Sequence, residues 1–315
     1  MERQRGRGPS SDAWDGGWET TSPMTGSDRL PSHRDDSRSD RKGRSWELPR
    51  DVLLDYCQSN LKMFVGERLL NKILGKSVLA HALGRAVIMH FEAQAGIGPR
   101  PTLTRLQRAT GLERTLAAFF AALKVARLVT VEVDISDRRV KYIVPSARVV
   151  EGLRGWNEVQ LEYGERFGFI PAGHAKRLRE DDAYSKRFLC CSRHILENVH
   201  RTIEGVPLWT WLSGIDCGDR IGYGLLRLDG LERAKVALKV EGPVWFPFSS
   251  VRMAADLGVS KSHVRNVVNT AEQRGFLKQD YDERALALTD AFFEDTYRWL
   301  TATFALFGEA ARRAA

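Results

Sequence analysis

Six polar side chains share one face of a predicted helix near residue 265. The opposite face consists of apolar residues at helical spacing, namely Val264, Val267, Val268 and Ala271. The polar face presents Lys261, Ser262, Arg265, Asn266, Asn269 and Gln273. An arginine can hydrogen-bond guanine through two atoms, and an asparagine can do the same with adenine. This face could therefore recognise base edges and phosphates of duplex DNA, and a face that only contacts solvent is the alternative.

We predict DNA contacts from both halves of the chain. In the second half the predicted residues are Ser260, Lys261, Ser262, His263, Arg265, Asn266, Asn269 and Arg284. In the first half they are Arg105, Arg108, Arg114, Thr115, Arg138, Arg139 and Lys141. The helix face in the first half carries Ala117, Ala118 and Ala121, which discriminate little between bases. We therefore expect the second half to read the bases and the first to anchor on phosphates, with arginines that can enter a narrow minor groove. Packing of the alanine face against another helix or another chain is the alternative.

The elements that position these residues are predicted twice. From Thr102, a good N-cap, the pattern indicates a short helix, a turn at Gly111 and a second helix. Period-two alternation over 128–134 and 139–144 then predicts a β-hairpin. The same order begins again at Ser249, with a turn at Gly258, an N-cap at Ser260 and a shorter hairpin turn at 280–284. The inward positions of the two longer helices lie 148 residues apart, as Leu116 and Val264 do, so the second half repeats the first.

This pattern resembles the winged helix-turn-helix transcription regulators of the MarR-like type. The residues that carry the resemblance are Gly258 to Arg265, Gly275-Phe276-Leu277, Leu288-Thr289 and Asp137-Arg138-Arg139. The resemblance covers roughly 77–156 and, more weakly, 231–307, and it implies a sequence-specific regulator that binds double-stranded DNA. Those families usually have one unit per chain and dimerise through terminal helices. Two units in one chain could form a monomer with an internal pseudo-twofold or a homodimer. The resemblance also suggests a small-molecule effector, with core packing as the alternative for the aromatic residues Trp156, Tyr163, Phe167, Trp209 and Trp211.

Composition and charge narrow the class of protein. A net charge of +8 favours a polyanionic partner, and the longest apolar runs fall far short of the roughly 20 residues that a membrane span needs. No secretory signal is evident, so we expect a cytoplasmic, nucleoid-associated protein. The four cysteines form no CxxC pair, and we predict no metal and no cofactor. A thiol or metal site at Cys190 and His194 is the alternative to an ordinary apolar stripe.

Motifs in the sequence bear on functions other than DNA-binding regulation. The sequence lacks the phosphate-loop, dinucleotide-binding, HExxH and GxSxG motifs, so we predict that it is not an enzyme and assign no catalytic residue. A plasmid-type replication initiator can also use tandem winged helices, and an adaptor can use them to bind protein.

The predicted fold is mainly α with small β-hairpins. Two tandem winged helix-turn-helix domains are joined by a helical middle region and preceded by a disordered N-terminal tail. The predicted boundaries are 1–45 for the tail, 46–165 for a helical entry with the first unit, 166–230 for the connector and 231–315 for the second unit with a C-terminal helix.

Overall fold

The structure is a computed structural model that describes residues 48–235 and 243–315. Within those ranges the chain is mainly helical and contains small antiparallel sheets, which confirms the predicted mainly-α class. The predicted tail, residues 1–45, lies outside the described residues.

The elements follow one another with short connections. The first half contains α1 (Arg50–Lys62), α2 (Arg68–Ile73), α3 (Ser77–Gln94), α4 (Leu103–Thr110), α5 (Arg114–Val125), β1 (Val129–Val133) and β2 (Lys141–Pro145). The middle contains α6 (Ala147–Arg166), α7 (His174–Glu180), α8 (Asp182–Cys191), α9 (Arg193–Asn198), a 3-10 turn (Val199–Thr202), α10 (Pro207–Ser213) and α11 (Gly218–Lys235). The second half contains β3 (Trp245–Pro247), α12 (Ser250–Leu257), α13 (Lys261–Gln273), β4 (Leu277–Asp280), β5 (Ala285–Leu288) and α14 (Asp290–Ala314).

Helix α4 begins and ends where the sequence places the signals. The Thr102 Oγ1 accepts a hydrogen bond from the Arg105 N–H at 3.3 Å, which confirms the predicted N-cap. Gly111 ends α4 in the left-handed region, at φ 70°, where a side chain would be strained. Helix α5 then buries the predicted stripe, with Leu116 and Leu123 fully inaccessible.

Helices α12 and α13 are built in the same way. Ser249 caps α12 by accepting from the Arg252 N–H at 3.3 Å, and Gly258 ends that helix at φ 67°. The Ser260 Oγ accepts from the His263 N–H at 3.0 Å, so its predicted capping role is confirmed. All four predicted inward positions of α13 are buried.

The hairpins extend the parallel between the halves. In the second half, β5 lies between β3 and β4 in a three-stranded antiparallel sheet. In the first half, β2 pairs with β1 and also forms a single bridge from Tyr142 to Thr102, just before α4. In each half, therefore, the second hairpin strand lies between the first strand and the segment that precedes the short helix. The connection between the strands spans 134–140 in the first half and only 281–284 in the second.

Two hydrophobic clusters hold these elements. The smaller combines α3, α4, α5 and the β1–β2 hairpin. The larger combines α1 with α6 to α14, and Tyr56 of α1 donates a hydrogen bond to the Gln160 Oε1 at 3.0 Å. The Tyr56 ring also packs edge-on against Tyr223 of α11. Helix α1, predicted to belong with the first unit, therefore lies in the larger cluster and not in the smaller one that holds α4, α5 and the first hairpin. The boundaries at 165 and 230 stay predictions.

The apolar side chains that alternate along β1 are less buried than such a pattern predicts. Val129 is buried, but Val131 and Val133 are 37% and 50% exposed. Ile143 of β2 is buried instead and completes the smaller cluster. The outer part of this hairpin thus presents apolar side chains to solvent.

Candidate nucleic-acid interface

The outer face of α13 carries the predicted polar residues. Lys261, Ser262, Arg265, Asn266 and Asn269 are all exposed. They stand opposite the buried stripe that holds α13 in the larger cluster. A rigid helix therefore fixes their backbones while their side chains remain accessible to a ligand.

A groove of about 590 Å³ lies between α13 and the β4–β5 hairpin. The polar side chains that line it are Lys261, Arg265, Asn269, Gln279, Tyr281 and Arg284, with Asp280 as the acidic member. Ser249, Ser250 and Val251 at the start of α12 also line it. The free N–H groups and positive dipole end of a helix favour anions. Three cations against one carboxylate, beside a helix N-terminus, suit a negatively charged ligand.

The hairpin turn holds Arg284 at the edge of this groove. The Asp280 Oδ1 accepts hydrogen bonds from the Asp282 and Glu283 N–H groups at 3.0 and 2.9 Å. Arg284 then adopts a left-handed backbone conformation, at φ 52°, and its carbonyl accepts from the Phe248 N–H at 3.0 Å. The Asp280 carboxylate is thus engaged with the turn.

A polar network joins the hairpin to α13. The Gln279 N–H and Nε2 donate to the two carboxylate oxygens of Glu272 at 2.9 and 2.7 Å, and the Tyr281 hydroxyl donates to the Glu272 Oε2 at 3.0 Å. Partial burial raises the pKa of Glu272, but the hydrogen bonds from Gln279 and Tyr281 outweigh it and lower that pKa overall. The Asn269 Oδ1 also accepts from the Gln279 Nε2 at 3.2 Å. The network fixes the hairpin relative to the helix and leaves the Asn269 amide nitrogen available.

The three cations of the groove are free to bind a ligand. Lys261, Arg265 and Arg284 form no hydrogen bond through their side chains and no ion pair with any residue that the structure describes. An unpaired arginine offers five donors in a planar arrangement that matches phosphate and guanine. These side chains therefore need no internal contact to be broken before binding.

His263, one of the predicted DNA contacts, has its side chain against the protein. Its Nε2 lies 2.8 Å from the Asp216 carbonyl oxygen, in the loop before α11, and its side chain is half-buried. It faces the protein, so it anchors the start of α13 and is not part of the groove lining.

The predicted cations of the first half are more scattered. Arg105 donates to the Arg100 carbonyl at 2.9 Å, and Arg139 pairs with Asp137 at 3.1 Å while remaining largely exposed. The side chains of Arg108, Arg114, Thr115, Arg138 and Lys141 are exposed and make no hydrogen bond or ion pair within the described ranges. These residues carry charge, and none of them lines the groove of the second half.

Gln279 and Tyr281 are among the groove residues that were not predicted from the sequence as DNA contacts. Gln279 lies in β4 two positions after the buried Leu277, and Tyr281 is the first residue of the turn that follows. Residues two apart in a strand point to the same side, so this spacing could have indicated a polar side facing α13.

Side chains of the other candidate sites contact each other or the rest of the protein. Trp209 is buried and stacks on Trp299 with ring centroids 4.0 Å apart, which agrees with core packing of the aromatic residues. Burial raises the pKa of the Cys190 thiol, and the His194 Nε2 lies 2.7 Å from the Glu309 Oε2. No group of three potential metal ligands is found in the described part of the chain.

No helix among residues 48–235 and 243–315 combines the length and apolar character needed to cross a membrane. Comparison of the chain with protein-family models, with curated proteins and with solved structures finds no match.

Proposed function

We propose that this protein is a sequence-specific, double-stranded DNA-binding regulator of transcription that acts in the cytoplasm at the nucleoid. In this proposal α13 is the recognition helix and the β4–β5 hairpin is the wing of a winged helix-turn-helix unit. The segment from α3 to β2 is a second copy of that unit, as the MarR-like resemblance suggests. The observation that carries the proposal is the groove between α13 and the wing, with its three unpaired cations.

The dimensions and chemistry of α13 suit the major groove. That groove is about 12 Å wide and admits one α-helix, whose N-terminal residues contact base edges. Arg265, Asn266 and Asn269 are the exposed side chains whose hydrogen-bonding groups distinguish guanine and adenine.

Phosphates fit the concave side of the same unit. Lys261 and Arg284 line the groove together with the first residues of α12. A DNA strand that lay between the recognition helix and the wing would meet both cations and the free N–H groups of α12. The first half contributes sequence-independent attraction through exposed residues such as Arg138.

Selection from a library of random DNA duplexes tests this proposal. The full chain should enrich a defined sequence, and binding should weaken steeply with added salt because counterions are released. Failure to enrich any sequence, or binding insensitive to salt, would contradict the proposal.

Two variants then assign the readout. Arg265→Ala should reduce discrimination between the selected site and its single-base variants by about 1–3 kcal/mol at one position. Arg138→Ala should weaken all sequences alike. Arg201→Ala is the charge-matched control, since Arg201 is exposed in the 3-10 turn and does not line the groove. Equal, non-selective losses for Arg265→Ala and Arg138→Ala would remove α13 from base readout.

A further inference from the structure

The outer face of α5 is apolar, unlike that of α13. Its members are Ala117, Ala118, Ala121, Ala122 and Val125, all of them exposed. Val125, at 86% exposure, has almost no contact with the rest of the protein. The polar residues at its ends are Glu113, Arg114 and Lys124. We call this set the α5 face.

The first hairpin carries further exposed apolar side chains. Val131 and Val133 follow the buried Val129 at every second position, so they lie on the side of β1 that faces the smaller cluster, beyond its edge. Ile135, in the turn, is fully exposed. Exposed apolar side chains are ordinary when scattered, but a contiguous group indicates an interaction surface.

The exposed surface of α5 and β1 differs in chemistry from the corresponding surface of the second half. The positions of Arg265, Asn266 and Asn269 are taken by Ala117, Ala118 and Ala121. The positions of Gln279 and Tyr281 are taken by Val131 and Val133. A surface with so few donors is poorly suited to phosphates and bases, and it matches another apolar surface instead.

The charges at the ends of the α5 face indicate a second copy of this chain. Glu113 and Lys124 lie 11 residues apart in sequence, or about 16 Å along the axis, on the same flank of the exposed stripe. They form no ion pair with each other or with any other described residue. If two α5 helices packed antiparallel about a twofold axis, Ala118 would face the partner's Ala121, and each Glu113 would lie beside the partner's Lys124.

We propose that the α5 face, extended by Val131 and Val133 of β1, forms a homodimer interface in which two α5 helices pack antiparallel. The alanines allow the helix axes to approach to the short end of the usual 8–10 Å range. A twofold arrangement uses the same surface on both protomers and is closed, so it yields a dimer and not a filament. None of the interface residues lines the groove of α13, so the proposal stands independently of base recognition by that helix.

Sedimentation equilibrium of the full chain, without DNA, measures this association. The wild-type protein should be a dimer at micromolar concentration. Ala118→Glu places two carboxylates at the centre of the interface and should raise the dissociation constant roughly tenfold or more. Ala183→Glu, at an exposed position in α8, is the matched control and should leave the dimer intact. A wild-type protein that stays monomeric, or an Ala118→Glu variant that still dimerises as tightly, overturns the proposal.

Charge reversal tests the antiparallel register. Glu113→Lys places that lysine beside the partner's Lys124 and should raise the dissociation constant about two- to tenfold. Lys124→Glu should do the same, and the double variant should restore the wild-type value, because each pair again has opposite charges. A double variant weaker than either single variant would overturn the antiparallel arrangement. Circular dichroism of each variant verifies that the helical content is unchanged.

Discussion

Arg127 adopts a left-handed backbone conformation, at φ 57°, where the second half of the chain has Gly275, at φ 78°. Arg127 follows α5 and Gly275 follows α13, each the second helix of its helix-turn-helix segment. In both halves the N–H of the next residue donates a hydrogen bond to a carbonyl of the preceding helix. The Leu128 N–H donates to the Leu123 carbonyl, and the Phe276 N–H donates to the Ala271 carbonyl, each at 2.9 Å. The two halves thus share a helix-ending geometry, and only one of them has the residue type that adopts it without strain.

Exchanges at these two positions should have opposite effects on stability. Gly275→Ala should lower the free energy of unfolding by about 1 kcal/mol, because an L-residue is strained at this φ although the space around it is open. Arg127→Gly should be neutral or stabilise by up to about 1 kcal/mol. Urea denaturation measures both. Gly152→Ala, in the helical interior of α6 and also in open space, is the control and should stabilise by roughly 0.5–1 kcal/mol. Destabilisation by Arg127→Gly as large as that by Gly275→Ala would contradict this account.

Asp295 of α14 joins the middle region to the C-terminal helix. Its Oδ2 accepts a hydrogen bond from the Leu208 N–H at the start of α10, at 2.8 Å, and the residue is buried. Asp295→Ala would leave that N–H unsatisfied and should cost about 1–2 kcal/mol, whereas Asp295→Asn keeps an acceptor and should cost less.

The same residue gives stability a pH dependence with a defined sign. Burial raises the pKa of Asp295 in the folded protein, so the folded state holds this proton more tightly than the unfolded chain. The contribution is fully present below the unfolded pKa of about 3.9 and is lost as pH rises through the folded pKa. The stability of Asp295→Asn relative to wild type should therefore improve between about pH 3.5 and pH 7, as followed by urea denaturation. A relative stability that declines over that range would show that the folded protein favours the charged form.

Local signals in the sequence were sufficient for the helix-turn-helix segments. The N-caps at Thr102 and Ser260 and the turns at Gly111 and Gly258 depend on residues a few positions apart, and the structure places them as predicted. The buried stripes of α5 and α13 follow from helical periodicity for the same reason.

Long-range contacts account for what the sequence did not reveal. The contact of His263 with the Asp216 carbonyl spans 47 residues, and the hydrogen bond from Tyr56 to Gln160 spans 104. Neither partner carries a local signal of the other. Val131 and Val133 alternate like a buried strand, but whether anything covers them depends on where the hairpin ends relative to α5. The groove residue Tyr281 is likewise defined by its contact with Glu272, not by its neighbours in sequence.

Lys261 should contribute one phosphate contact to the proposed DNA complex. Lys261→Ala should weaken binding to all sequences and make the slope of log K against log salt shallower by about 0.9, the value for one neutralised phosphate on duplex DNA. Fluorescence anisotropy at several salt concentrations measures the slope. Lys186→Ala removes the same charge from an exposed position in α8 and should leave the slope unchanged. Equal slopes for Lys261→Ala and wild type would place Lys261 away from the phosphates.

Arg284 has a strained backbone conformation and lines the groove. Substitutions of this residue should therefore change stability and DNA affinity in opposite directions. At φ 52° its backbone favours glycine, and Arg284→Gly should raise the free energy of unfolding by up to about 1 kcal/mol. The same change removes a cation from the wing and should lower DNA affinity about tenfold, or ~1.4 kcal/mol. Arg127→Gly is the matched control, because it relieves a similar conformation outside this groove and should leave affinity nearly unchanged. Arg284→Lys should retain part of the affinity together with the strain. If Arg284→Gly binds DNA as tightly as wild type, the wing does not contact the duplex through this residue, and the strain at φ 52° has no role in binding.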